Sequence, residues 1–146
     1  MSKRRESKGA GPSGEEARRR RVVVLKRSKD EGKKILSNLQ YACVVEVVKR
    51  IGDFDDHEEA WDLDIRRFGD FYELRMKGSF LGKINLRVYF AYLKDRDEVL
   101  VLKTYKKEQE DQTPPYIMET LKDRCEQYIS GGLRVGLSVH QKRESP

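Results

Sequence analysis

From residue 71 to residue 107 the chain reads FYELRMKGSFLGKINLRVYFAYLKDRDEVLVLKTYKK, and three runs within it alternate apolar and polar side chains. A period of two is the signature of half-buried strands. In the run Phe71–Lys77, Tyr72, Leu74 and Met76 share one face and Glu73, Arg75 and Lys77 the other. In residues 84–93, Ile84, Leu86, Val88 and Phe90 face one way, and Asn85, Arg87 and Tyr89 the other. In residues 99–107, Leu100 and Leu102 oppose Lys103, Tyr105 and Lys107. Turn signals separate the runs at Gly78 to Gly82 and at Lys94 to Asp97. Connections this short favour antiparallel neighbours. The strands predict a sheet with one oily face and one carrying Arg75, Arg87, Tyr89, Lys103, Tyr105 and Lys107, with Val99 and Val101 among them.

A face with several cations, two phenols and no histidine suits a phosphate-rich polymer better than a small neutral metabolite. Arginine pairs two phosphate oxygens with one planar fork and stays charged. Tyrosine offers a ring on which a base can stack. The alternative is a solvated sheet face, where Lys and Arg are common in any case.

Apolar stripes elsewhere supply the cover for the oily face. Residues 22–25 are a short apolar run that predicts the first strand. Ser28 stands three residues before Glu31, the spacing of a helix capping box. Behind it Ile35, Leu36, Leu39, Ala42, Cys43, Val47 and Ile51 recur at helical spacing. Ser37 and Asn38 favour N-cap positions and divide this stretch into a short and a longer helix, which Gly52 ends. Later, Thr113 serves as N-cap and Pro114 as first helical residue. The helix they open carries a stripe of Ile117, Met118, Leu121, Cys125, Tyr128 and Ile129, and ends at Gly131 and Gly132. Trp61, Leu63, Ile65 and Phe68 read as packing residues leading into the sheet. The expected fold is α+β: a small, largely antiparallel sheet of about four strands, with the N-terminal helices and the C-terminal helix packed on one side. The other side is left for a ligand.

Charge divides the chain unevenly. Residues 1–21 hold eight Lys or Arg and three Glu, a net of +5 out of +6 for all 146 residues. The remaining 125 residues are nearly neutral, with 23 basic and 22 acidic side chains. Residues 1–20 lack apolar periodicity and predict a disordered basic arm, which would add salt-sensitive affinity for nucleic acid. Residues 21–132 form the expected single domain, and 133–146 a tail with no assigned structure. Asp53, Asp55, Asp56, His57, Glu58 and Glu59 read as a polar loop at the start of a short helix, not as a metal site, so no metal and no cofactor is expected. Residues 78–83 are too short for a phosphate loop and sit in a hairpin. Cys43 and Cys125 form no metal-binding spacing and read as buried free thiols, which favours a reducing, cytoplasmic compartment. No apolar run approaches the about 20 residues of a membrane span, so no membrane partner is expected.

Three segments in order resemble the RelE/HigB toxin superfamily, in its phage-derived, HigB-like branch. They are Phe71-Tyr72-Glu73-Leu74-Arg75, Leu86-Arg87-Val88-Tyr89-Phe90, and Leu102-Lys103-Thr104-Tyr105-Lys106-Lys107 with Gln109 and Thr113-Pro114. The resemblance covers roughly residues 22–130 and is strongest over 65–130. It implies a RelE-like fold and a ribosome-dependent mRNA endoribonuclease, the translation-inhibiting toxin of a type II toxin–antitoxin system. Its implied partners are mRNA, the ribosome and a cognate helix-turn-helix, HigA-like antitoxin. The residues carried over by the resemblance are Arg75, Arg87 and Lys107 as catalytic groups. Lys103, Lys106, Tyr89 and Tyr105 would hold the RNA. The implied reaction is attack by a 2′-OH on the adjacent phosphate, with Arg75 and Arg87 on the phosphate and Lys107 or Lys106 moving protons. A second class stays open, a module that binds nucleic acid or protein through the same face without cutting. A third is a passive domain with a solvated sheet face.

Overall fold

The computed structural model describes residues 20–54, 57–108 and 113–139. The elements in chain order are β1 (Arg21–Leu25), α1 (Lys26–Ile35), α2 (Asn38–Lys49), β2 (Asp64–Phe68), β3 (Phe71–Lys77), β4 (Asn85–Leu93), β5 (Glu98–Lys106), α3 (Pro115–Ile129) and β6 (Val135–Val139). The α+β class is as expected, but the sheet is larger. It has six strands in the order β2-β3-β4-β5-β1-β6. The run from β2 to β5 is antiparallel; β1 lies parallel to β5 and antiparallel to β6. The sheet is therefore mixed. The expected tail contains its last strand, whose sequence VGLSV is too short and too weakly alternating to announce itself.

Helices cover both faces, which corrects the one-sided arrangement. On one face α2 sets Tyr41, Val44 and Val48 against Val22, Val24, Leu74, Leu86, Val88, Phe90, Val99 and Val101. On the other, α3 sets Ile117 and Leu121 against Val23, Leu25, Phe71, Tyr89, Ala91, Leu100 and Leu102. β1 is buried on both sides, which is why its Val-Val-Val-Leu run does not alternate.

A β-bulge explains why Val99, Leu100, Val101 and Leu102 lie on the faces opposite to those expected, while Lys103, Tyr105 and Lys107 keep theirs. Tyr89 pairs with Lys103, but Phe90 pairs with Val101, so Leu102 is an extra residue in β5. An added residue reverses the facing of everything on one side of it. Val99 and Val101 thus join the α2 core, while Leu100 and Leu102 lie under α3 on the side of Lys103 and Tyr105.

The bulge is held by side chains. β1 pairs with β5 only as far as Val101, and α1 packs along β5 beyond that point. There the Thr104 N–H donates to Glu31 Oε1 at 3.0 Å, and Arg124 Nη1 donates to the Leu102 carbonyl at 2.8 Å. Arg124 also bonds both Glu31 oxygens, at 3.1 and 2.7 Å, and Lys103 Nζ donates to Glu31 Oε2 at 3.0 Å. Glu31 is therefore not part of a helix cap. Helix α1 starts at Lys26, straight from β1, and Ser28 is buried inside it with its hydroxyl 2.9 Å from that of Thr104. The expected break at Ser37 is present as a full capping box with Gln40.

Three smaller readings also change. Gly52 is not a helix stop. It sits in a 3-10 turn (Arg50–Asp53), where an added Cβ would lie 2.5 Å from the Arg20 carbonyl oxygen. Trp61 is exposed rather than packed. Helix α3 begins one residue late, with Pro114 as N-cap and no side-chain cap from Thr113. The cysteines are free and half-buried. Most of the basic arm, and Asp55 and Asp56 of the acidic cluster, lie outside the described residues, and nothing is described of the His57 side chain. Arg20, at the arm's end, is buried, with its guanidinium on the Phe54 carbonyl and over the Tyr92 ring. Among the described residues no helix is long and apolar enough to cross a membrane.

Burial opposes ionisation of Glu31, but the bonds from Arg124, the Thr104 N–H and Lys103 outweigh it and hold the carboxyl below its usual range. A depressed carboxyl contributes stability that is present above its unfolded pKa, about 4.3, and is lost as pH falls through the folded value. Glu31→Gln is expected to cost about 3 kcal/mol in denaturant unfolding at pH 7, since it leaves Arg124 without its counter-charge. The difference between wild type and variant should shrink as the pH is lowered below about 4. Gly52→Ala is expected to cost about 1–3 kcal/mol, read as a lower melting midpoint, because backbone must move to admit the methyl group.

Candidate nucleic-acid interface

The strand register lays the candidate residues out in rows on the face that carries α3. Arg75 pairs with Arg87, and Arg87 with Tyr105. The next row inward is Glu73, Tyr89 and Lys103. The next row outward is Lys77 and Asn85, with the Lys107 N–H donating to the Asn85 carbonyl at 2.8 Å. By this alternation Lys107 stands on the same side as Arg75 and Arg87. Helix α3 covers the inner part of the face around Leu100 and Leu102 and leaves the outer rows partly open. The register therefore puts the three expected catalytic residues in neighbouring rows at one end of one sheet face.

The inner row is structural. Tyr89 is 0% exposed, its ring packs 5.1 Å from that of Phe68, and its hydroxyl donates to Glu73 Oε2 at 2.7 Å. A ring with no exposed surface cannot stack on a base, which corrects the RNA-holding role expected of Tyr89. Burial, then the bond to Glu73, push its phenol well above the usual tyrosine range. Lys103 is also corrected, since it is spent on Glu31 with its side chain only 12% exposed. Lys106 pairs with Leu86, so it points to the α2 side, away from the arginines. Lys106 lies 3.9 Å from Glu108. Between the two adjacent lysines, only Lys107 shares the face with the arginine pair. Tyr105, next to Arg87 in register, is half-buried against the α3-side core.

The electrostatics turn on Glu73, which the sequence offers as an ion-pair partner for the arginines, an arrangement that would weigh against catalysis. It is 2% exposed. Arg75 Nε donates to Glu73 Oε1 at 2.7 Å, and Arg87 Nε lies 3.6 Å from Oε2. Arg87 is itself 8% exposed, and its Nη1 donates to Asn85 Oδ1 at 2.8 Å. Its buried Nε makes no hydrogen bond. The hydrogen bond and charge of Glu73 raise the Arg75 pKa against a smaller opposing effect of burial, so Arg75 is a fixed cation. The signal in the sequence was an acidic residue on the same strand face as two arginines, which only the register turns into a contact.

Chemically, the outer rows offer two arginines on adjacent strands, one lysine and one phenol, a set suited to a phosphodiester. Among the described residues no group of three His, Cys, Asp or Glu could hold a metal ion. No protein-family model matches this sequence, and a comparison with curated proteins returned no match.

Tyr89→Phe should leave affinity for single-stranded RNA unchanged within about twofold in a filter-binding assay. It should lower stability by about 1–2 kcal/mol through the lost bond to a buried carboxylate.

Proposed function

We propose that the chain is the toxin of a type II toxin–antitoxin system: a cytoplasmic, ribosome-dependent mRNA endoribonuclease on a RelE-like fold. The observation that carries this reading is the register row Arg75, Arg87 and Tyr105, with Lys107 one row out on the same face. Arg75 and Arg87 bind the scissile phosphate and stabilise the extra charge of the phosphorane-like transition state. The 2′-OH oxygen forms a bond to phosphorus, and the bond from phosphorus to the 5′ oxygen breaks, leaving a cyclic phosphate and a free 5′-OH. In this reading Lys107 moves a proton in this exchange, and Tyr105 contacts a neighbouring base. No metal is needed. So plain a site gains most from a ribosome that holds the mRNA in position. The partner that restrains it is a helix-turn-helix antitoxin of the HigA-like class.

A second reading is favoured by one observation, the near-burial of Arg87 against Glu73, which neutralises part of the patch. On that reading the same face binds RNA or protein without cutting.

Induced expression in a bacterial cell, with mapping of new mRNA 5′ ends, tests the first reading. The intact chain is expected to arrest growth and to produce new ends. Arg87→Ala and Lys107→Ala are each expected to lower cleavage by about 100-fold or more, the scale of losing a transition-state electrostatic contact or a proton-transfer group. A soluble chain that yields no new ends, yet binds RNA with a steep salt dependence, would favour the binding module.

A further inference from the structure

Two arginines directly opposite each other on neighbouring strands repel, and like charges in this position destabilise a sheet. The pairing of Arg75 with Arg87 therefore needs a counter-charge, and Glu73 supplies it from one row inward. The manner of supply matters more than the charge. Glu73 meets both guanidinium groups at Nε, with a 2.7 Å bond to Arg75 and a 3.6 Å approach to Arg87. Among the described residues, Nη1 and Nη2 of Arg75 and Nη2 of Arg87 bond nothing. A guanidinium is a rigid plane, so the Nε bond to Glu73 fixes where the terminal nitrogens of Arg75 lie; Arg87 is held by the charge of Glu73 at 3.6 Å together with its Nη1 bond to Asn85 Oδ1 at 2.8 Å.

Glu73 is itself held. The Tyr89 hydroxyl donates to Oε2 at 2.7 Å. A line of contacts thus runs from Tyr89 through Glu73 to the two arginines. A counter-ion needed only for charge balance could sit anywhere near the pair. This one is buried, oriented by a second residue and placed behind the Nε edges.

We propose that Glu73 is a positioning residue: its carboxylate orients Arg75 and Arg87 so that their terminal nitrogens form one joint fork for the non-bridging oxygens of the scissile phosphate. The proposal rests on the phosphodiester reading of the site. It assigns Glu73 no contact with RNA.

The first test is Glu73→Gln, assayed for mRNA cleavage on programmed ribosomes and for binding of a 2′-O-methyl RNA that cannot be cut. The expected result is a fall of at least tenfold in kcat, with Kd for the uncut RNA unchanged or tighter, since a negative charge has been removed. A folded variant with kcat within threefold of wild type, or with kcat and affinity lost in parallel, would overturn the proposal. The second measurement needs no variant and no activity: arginine side-chain 15N NMR of the intact chain, titrated with inorganic phosphate. The Arg75 Nε–H is expected to exchange slowly with solvent, and the terminal nitrogens of Arg75 and Arg87 to shift together with one midpoint. Fast exchange at Arg75, or two arginines that respond separately or not at all, would sink it even if Glu73→Gln fails to fold. If the wild-type chain does not cleave mRNA, the endoribonuclease reading fails, while the NMR result still decides whether Glu73 builds a joint anion fork.

Discussion

The fold hangs on what Glu31 does at the edge of β5. A strand bordered by a partner along only part of its length leaves backbone groups that water or side chains must satisfy. Here β1 pairs with β5 up to Val101, and an extra residue follows at Leu102. Glu31 takes the Thr104 N–H, and Arg124 takes the Leu102 carbonyl and grips Glu31 with both terminal nitrogens. One carboxylate thereby ties α1 to the sheet edge, α3 to the face, and Lys103 to both. Buried ion pairs are weak evidence for stability when an apolar set could replace them. At a bulge no apolar set could, because the groups being satisfied are backbone.

The bulge in turn makes room for two uses of one sheet face. Without it, Leu100 would share a face with Val88, and α3 would have no apolar floor on β5. With it, Leu100 and Leu102 join Val23, Leu25 and Ala91 beneath Ile117 and Leu121. The same face becomes cationic a few residues further on, at Tyr105, Arg87 and Arg75. Helix α3 ends its cover near Tyr89, whose buried hydroxyl bonds Glu73 at the boundary. The oily and the charged halves of the face are thus joined by a phenol, which has an apolar body and a polar tip.

Much of the site was legible in the residues. The alternation in Phe71–Lys77 and in β4 assigned their faces correctly, because neither strand carries an irregularity and side chains must alternate. It put Arg75, Arg87 and Lys107 on a common face, where the register places them. It misjudged Tyr89 and Lys103, since alternation reports a side and not what lies on that side. Both belong to the inner row, next to the ground α3 covers, and depth along the face depends on elements distant in sequence, α3 over Tyr89 and Glu31 of α1 on Lys103. Glu73 was legible as a possible ion-pair partner of the arginines, but its burial and its reach to both of them were not, for the same reason.

The sequence by itself determined the α+β class, the positions of α2, β3, β4 and α3, and the clustering of cations on one side of three strands. These follow from periodicity, caps and breakers, which act over a few residues. Tertiary structure alone decided the rest: the insertion of β1 beside β5, the added strands β2 and β6, the bulge at Leu102, and the division of helices between the two faces. Each depends on which distant backbone groups and apolar surfaces find one another. A local pattern sets a strand's two faces, but it does not set what will cover them.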